Sequence, residues 1–192
     1  MDYLGTDNDD IISQAALGLK DWVAIYGYGG NDTLTLGVAN GVGGPGNDKL
    51  IGTSIWSTAV YWGSPKGVIV DLQVGQAQDG YGTVDTLVNI RSVHGTVHAD
   101  TLLGSSGVDT LYGGAGDDFI DGGTGWDTVQ FFFSLSSKFS IRFDEAAQAV
   151  IVSNADASDS NHGTKTLKNI EAAWVQDQAA RAHGIAGAQH GA

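Results

Sequence analysis

Four aspartates, Asp100, Asp109, Asp118 and Asp127, recur every nine residues and carry the clearest chemistry in the chain. Each is the sixth residue of a unit that opens on glycine: GTVHADTLL (95–103), GSSGVDTLY (104–112), GGAGDDFID (113–121) and GGTGWDTVQ (122–130). A less regular block, GTDNDDIIS (5–13), GYGGNDTLT (27–35) and GGPGNDKLI (43–51), puts Asp10, Asp32 and Asp48 at the same position. Carboxylates arrayed by a repeat can serve as hard oxygen ligands for a divalent cation, or as acid–base pairs in glycoside hydrolysis. Their number and regularity favour ligands.

The element that must position them follows from the period. Nine residues divide into a tight six-residue turn, rich in glycine, and a three-residue strand. In such a strand the eighth-position residue (Leu102, Leu111, Ile120, Val129) points inward and its neighbours outward. Units of this kind stack, each strand pairing in parallel with the coils above and below. The core so formed is thin. Burying one Leu or Ile contributes ~1.5–3 kcal/mol, whereas ordering each of nine backbones costs ~1–2 kcal/mol. The aspartate rows also repel. A divalent cation between turns answers both problems, and Ca²⁺ suits flexible carboxylate-and-carbonyl sites better than Mg²⁺. Zinc is disfavoured because cysteine is absent and the five histidines are scattered.

Composition agrees with a cation-binding role. The 192 residues carry 22 acids against 9 bases, a formal charge of −13, which disfavours nucleic acid and anionic membrane as partners. Hydrophobic residues still make up 42% of the chain, too many for a disordered acidic tail. No apolar run reaches the ~20 residues of a membrane span, so membrane insertion is not expected. The segment MDYLGTDNDD lacks the basic-then-apolar pattern of a cleaved leader, so export is expected to use another route.

A second repetition underlies the first. WSTAVYW (56–62) aligns with WDTVQFF (126–132), and TLVNI (86–90) with TLKNI (166–170). Between the members of each pair lies a strand-like stretch, GVIVDL (67–72) or KFSIRFD (138–144). This predicts two copies of one plan, 1–94 and 95–178, in one continuous stack, followed by a flexible tail at 179–192. The copies differ where Ser57 replaces Asp127 and where Lys165 stands near the place of Asp85. In the first copy the segments 14–26 and 36–42 lack the Gly-Asp framework, which predicts a side without ligands opposite Asp10, Asp32 and Asp48.

The nonapeptides resemble those of the RTX (repeats-in-toxin) family, the hemolysin-type calcium-binding repeats. The resemblance implies an all-β fold, a parallel β-roll with β-hairpin flanks or caps. It also implies Ca²⁺ between turns on the same side, one full coil apart, pairing Asp100 with Asp118 and Asp109 with Asp127. Carbonyl ligands carried over from the family pattern are those of Gly95, Val97, Gly114 and Gly116 in one site. In the other they are those of Gly104, Ser106, Gly123 and Gly125. Similar sites pair Asp10 with Asp32 and Asp32 with Asp48. His98 departs from the pattern, which has glycine at the fourth position. The function implied is an extracellular bacterial module that folds on Ca²⁺ after type I secretion. The alternative is a calcium-stiffened module for targeting or adhesion that binds polysaccharide or a cell-surface protein.

Other candidates are weaker. The clusters Trp56–Tyr61–Trp62 and Trp126–Phe131–Phe132–Phe133 suit packing over open core edges better than sugar stacking. His94 and His98 fall across a turn rather than on one face, which argues against a transition-metal pair, and His162, His183 and His190 are dispersed. No nucleophile elbow, phosphate loop or HExxH motif is present, so no catalytic role is expected.

Overall fold

The computed structural model describes residues 2–132, 139–154, 163–176 and 183–186; Phe133, His162 and His190 lie outside them. Among these residues every regular element is a strand. The chain alternates between two facing sheets, starting with β1 (Tyr3–Thr6) in the first and β2 (Ile11–Ser13) in the second. It continues through β3 (Val23–Tyr28), β4 (Thr33–Leu36), β5 (Ala39–Val42), β6 (Lys49–Gly52) and β7 (Thr58–Val60) in the same alternation. Each strand pairs in parallel with the strand one coil away, as in β2–β4–β6 and β3–β5–β7. This is a parallel β-roll.

After β7 the chain makes a three-strand excursion in the second sheet: β8 (Ile69–Asp71), β9 (Gln76–Gln78) and β10 (Val84–Val88). These pair antiparallel among themselves, and β10 then lies parallel to β6. The roll resumes with β11 (Ser92–Thr96) on β7, β12 (Thr101–Leu103) on β8, β13 (Thr110–Gly114) and β14 (Asp118–Asp121). The same excursion then recurs. After β15 (Thr128–Phe132), the strands β16 (Phe139–Asp144), β17 (Ala149–Asn154) and β18 (Thr164–Lys168) form an antiparallel run, and β18 lies parallel to β14. β19 (Ala172–Gln176) returns to β15. Within the segment expected to be a flexible tail, β20 (His183–Ala186) pairs antiparallel with β19. β19 offers an open strand edge, and four residues suffice to pair with it.

The eighth position of every unit points into the roll. Ile12, Leu34, Leu50, Leu102, Leu111, Ile120 and Val129 are all buried. They stack in register, Ile12 on Leu34 on Leu50 on Leu87, and Val70 on Leu102 on Ile120 on Leu167. Such columns fix the register, because a slip of one residue would turn each aliphatic residue outward. Fixed register in turn places each aspartate, two residues earlier, at the same height beside its neighbour in the next coil.

Candidate metal centres

The aspartates form three rows, each joined by one repeated hydrogen bond. In the first, the Asp10 N–H donates to Asp32 Oδ1, Asp32 N–H to Asp48 Oδ1, and Asp48 N–H to Asp85 Oδ1, at 2.8–2.9 Å. In the second, Val68 N–H donates to Asp100 Oδ1 and Asp100 N–H to Asp118 Oδ1, at 2.8 and 2.9 Å. In the third, on the opposite sheet, Asp109 N–H donates to Asp127 Oδ1 at 2.8 Å and Asp127 N–H to Glu171 Oε2 at 2.7 Å. One carboxylate oxygen is thereby tied to the preceding coil. The other is left to the turn.

What the turn does with that second oxygen depends on its second residue. In the turns that begin the rows this residue is Thr6, Thr96 or Ser105. Its N–H donates to Oδ2 of Asp10, Asp100 or Asp109 at 2.6 Å, and its hydroxyl donates to the same carboxylate. In the turns that continue the rows the second residue is Tyr28, Gly44, Gly114 or Gly123, with φ between 74° and 103°. There Oδ2 of Asp32, Asp48 and Asp127 accepts no hydrogen bond although buried, and Asp118 Oδ2 instead faces the Lys165 ammonium at 2.8 Å. Leaving a buried charged acceptor unmet is costly. A divalent cation is the group that would satisfy it.

Glycine at the first position has a steric reason. A Cβ on Gly113 would overlap Asp118 Oδ2, and one on Gly114 would overlap Thr96 O of the preceding coil. The turns carrying Gly95, Val97, Gly104, Ser106, Gly114, Gly116, Gly123 and Gly125 all lie in these rows, beside Asp100, Asp109, Asp118 and Asp127. Gly116 O accepts a 2.5 Å hydrogen bond from the Lys165 ammonium. Among the described residues no group of three or more His, Cys, Asp or Glu side chains is placed to hold a metal ion.

Charge is barely neutralised. Among the described residues the ion pairs that reach these rows are Lys165 with Asp118 at 2.8 Å and Arg91 with Asp109 at 3.7 Å. Asp118 Oδ2 and Asp109 Oδ1, both without a well-directed hydrogen bond, therefore each face a base. Burial drives the carboxyl pKa up, to about 7 for Asp85, where the charges of Asp48 and Asp79 add to it. Burial likewise raises Asp48 to about 6, with Asp32 and Asp79 adding, and Asp127 to about 6, with Asp109 and Glu171 adding. Asp118 rises to about 6 by burial even against Lys165.

Sequence reasoning missed Asp85, Asp79, Glu171 and Arg91, which lie outside the nonapeptides. Asp85 closes the first row and also accepts the Tyr61 O–H at 3.1 Å. Buried Asp79 accepts the N–H groups of Tyr81, Gly82 and Thr83. On the first-sheet side of residues 14–57, neutral groups occupy the corresponding turns. Gln14 bonds Asp21 O and Gly37 N–H, and the Ser57 hydroxyl donates to Leu36 O and Gly37 O. The aromatic residues divide. Tyr61 and Phe131 are buried, but Trp56 and Trp126 are over 60% exposed at turn corners, so packing accounts for only part of each cluster. His94 packs edge-on between Trp62 and Tyr112, and burial holds its pKa near about 4.

Fold and turns together define a parallel β-roll whose turns present rows of buried, unmet carboxylates: a cation-binding repeat solenoid. Residues 24–42 and 94–129 match the RTX calcium-binding nonapeptide repeat, in four copies. These repeats bind Ca²⁺, which is therefore the metal of this chain. No curated protein matches the chain.

Proposed function

We propose that this chain is an extracellular calcium-responsive module, exported by type I secretion, whose rows of aspartate act as ligands rather than as catalysts. The observation that carries the reading is the set of buried Oδ2 atoms on Asp32, Asp48 and Asp127 that accept no hydrogen bond. At low calcium these rows repel and the thin core does not compensate. Extracellular modules of this kind bind with Kd of ~10⁻⁴–10⁻³ M, so calcium outside the cell is sufficient. Because the rows exist only in the folded roll, metal binding free energy becomes folding free energy. A chain unfolded before export threads easily and becomes rigid after it.

The pairs Asp10–Asp32, Asp32–Asp48 and Asp109–Asp127 give the expected minimum of one Ca²⁺ each; the Asp100–Asp118 pair, where the Lys165 ammonium already holds Asp118 Oδ2 and Gly116 O, is left out of that minimum. Native mass spectrometry in millimolar Ca²⁺ should show several bound ions that excess Mg²⁺ does not displace. A chain that stays free of Ca²⁺ under those conditions contradicts the reading.

A further inference from the structure

Lys165 stands in the second aspartate row at the register of an aspartate. It faces Asp118 across the β14–β18 pair, as Asp85 faces Asp48 across β6–β10. The two positions correspond in strand register. Each is the second residue of the third strand of its excursion, in Asp85-Thr86-Leu87 and Lys165-Thr166-Leu167. Both strands are followed at once by an asparagine with positive φ, Asn89 at 54° and Asn169 at 49°.

The lysine is one of the most deeply buried large side chains, 2% exposed. Its Nζ lies 2.8 Å from Asp118 Oδ2 and donates to Gly116 O at 2.5 Å. A carboxylate oxygen and a turn carbonyl are the ligand types a metal ion would take from this turn. The following turn closes directly over the spot: Asp117 Oδ1 accepts the Thr164 N–H at 2.6 Å, and a Cβ on Gly163 would overlap Gly116 O. In the first row the equivalent gap offers Asp48 Oδ2, buried and without a hydrogen bond, against a second carboxylate.

We propose that Lys165 is a tethered cation that replaces the metal ion in the last gap of the Asp100–Asp118 row, whereas Asp85 leaves the equivalent gap beside Asp48 to a divalent metal. The two copies thus solve one electrostatic problem in two ways. The gap beside Asp118 is neutralised at any calcium concentration, so the strand that closes the row docks without metal. The gap beside Asp48 waits for calcium. This inference rests on the reading of the rows as calcium sites.

The test is native mass spectrometry of the full chain in Ca²⁺, with circular dichroism to confirm folding. Lys165→Asp should bind one more Ca²⁺ than the parent, and Asp85→Lys one fewer. Lys165→Met, which removes the ammonium and adds no ligand, should need at least tenfold more calcium to fold. Folded Lys165→Asp and Asp85→Lys proteins with the parent's ion count would overturn the proposal. So would a Lys165→Met protein that folds at the parent's calcium concentration. Should Lys165→Asp not fold, the other two variants decide. A parent that binds no Ca²⁺ sinks the calcium reading itself; a parent that binds it, with counts unmoved by these exchanges, sinks only the role of Lys165.

Discussion

Asp118→Ala is expected to abolish folding at calcium concentrations that fold the parent, and to do so more completely than removal of any exposed acid. Three losses coincide at this residue. The Asp100 N–H loses its acceptor at 2.9 Å, the row loses a ligand oxygen, and the buried Lys165 ammonium loses its counter-ion at 2.8 Å. Breaking one side of a buried pair costs about 3–5 kcal/mol, a factor of roughly 10²–10³ or more in the folding equilibrium. Lost metal affinity adds to that. Asp21→Ala, at an exposed position outside the rows, should leave the calcium midpoint unchanged. The comparison is a calcium titration followed by circular dichroism. An Asp118→Ala midpoint within a factor of two of the parent's would contradict the row geometry.

Acid should replace calcium in part. Asp48, Asp85, Asp118 and Asp127 have folded-state pKa values raised to about 6 or 7, by burial first. A carboxyl with a raised folded pKa favours folding when protonated. Its contribution is full below the unfolded value near ~4 and is lost as pH rises through the folded value. His94 works in the opposite sense. Its folded pKa is lowered to about 4, so its contribution is lost as pH falls from ~6.5. Four carboxylates outweigh one imidazole. In EDTA, the chain should therefore gain strand signal as pH falls from about 8 to about 5, while the calcium needed for folding rises because protons compete for the same oxygens. A metal-free chain equally unfolded at both pH values would count against the buried rows as the source of instability.

Period alone carried a large part of this structure into the sequence. The eighth-position residues from Ile12 to Val129 are core, and the sixth-position aspartates stand in rows, because a nine-residue coil fixes both at once. The alignment of TLVNI with TLKNI falls on β10 and β18, third strands of matching excursions. Pairing was not legible. The chain passes from β7 to β8, returns through β9 and β10, and only later lays β12 on β8, which no local signal specifies. For the same reason Glu171 and Arg91 were invisible as neighbours of Asp127 and Asp109: pairing in space, not spacing in sequence, brings them there. Tyr28 also escaped notice, since it adopts at φ 74° the second-position conformation that Gly44, Gly114 and Gly123 take readily. The division between turns that close on their own aspartate and turns that leave it open follows from that second residue. It was readable from Thr6, Thr96 and Ser105 once the hydrogen bonds were known.

Folding conditional on calcium is the property proposed for the buried aspartate rows. Far-ultraviolet circular dichroism of the full chain, titrated from EDTA into millimolar Ca²⁺ at neutral pH with Mg²⁺ as control, tests it most directly. A largely unfolded spectrum in EDTA, a cooperative rise of β signal with Ca²⁺ and little response to Mg²⁺ are expected. A spectrum already that of the folded roll in EDTA, and unchanged by Ca²⁺, would contradict that property.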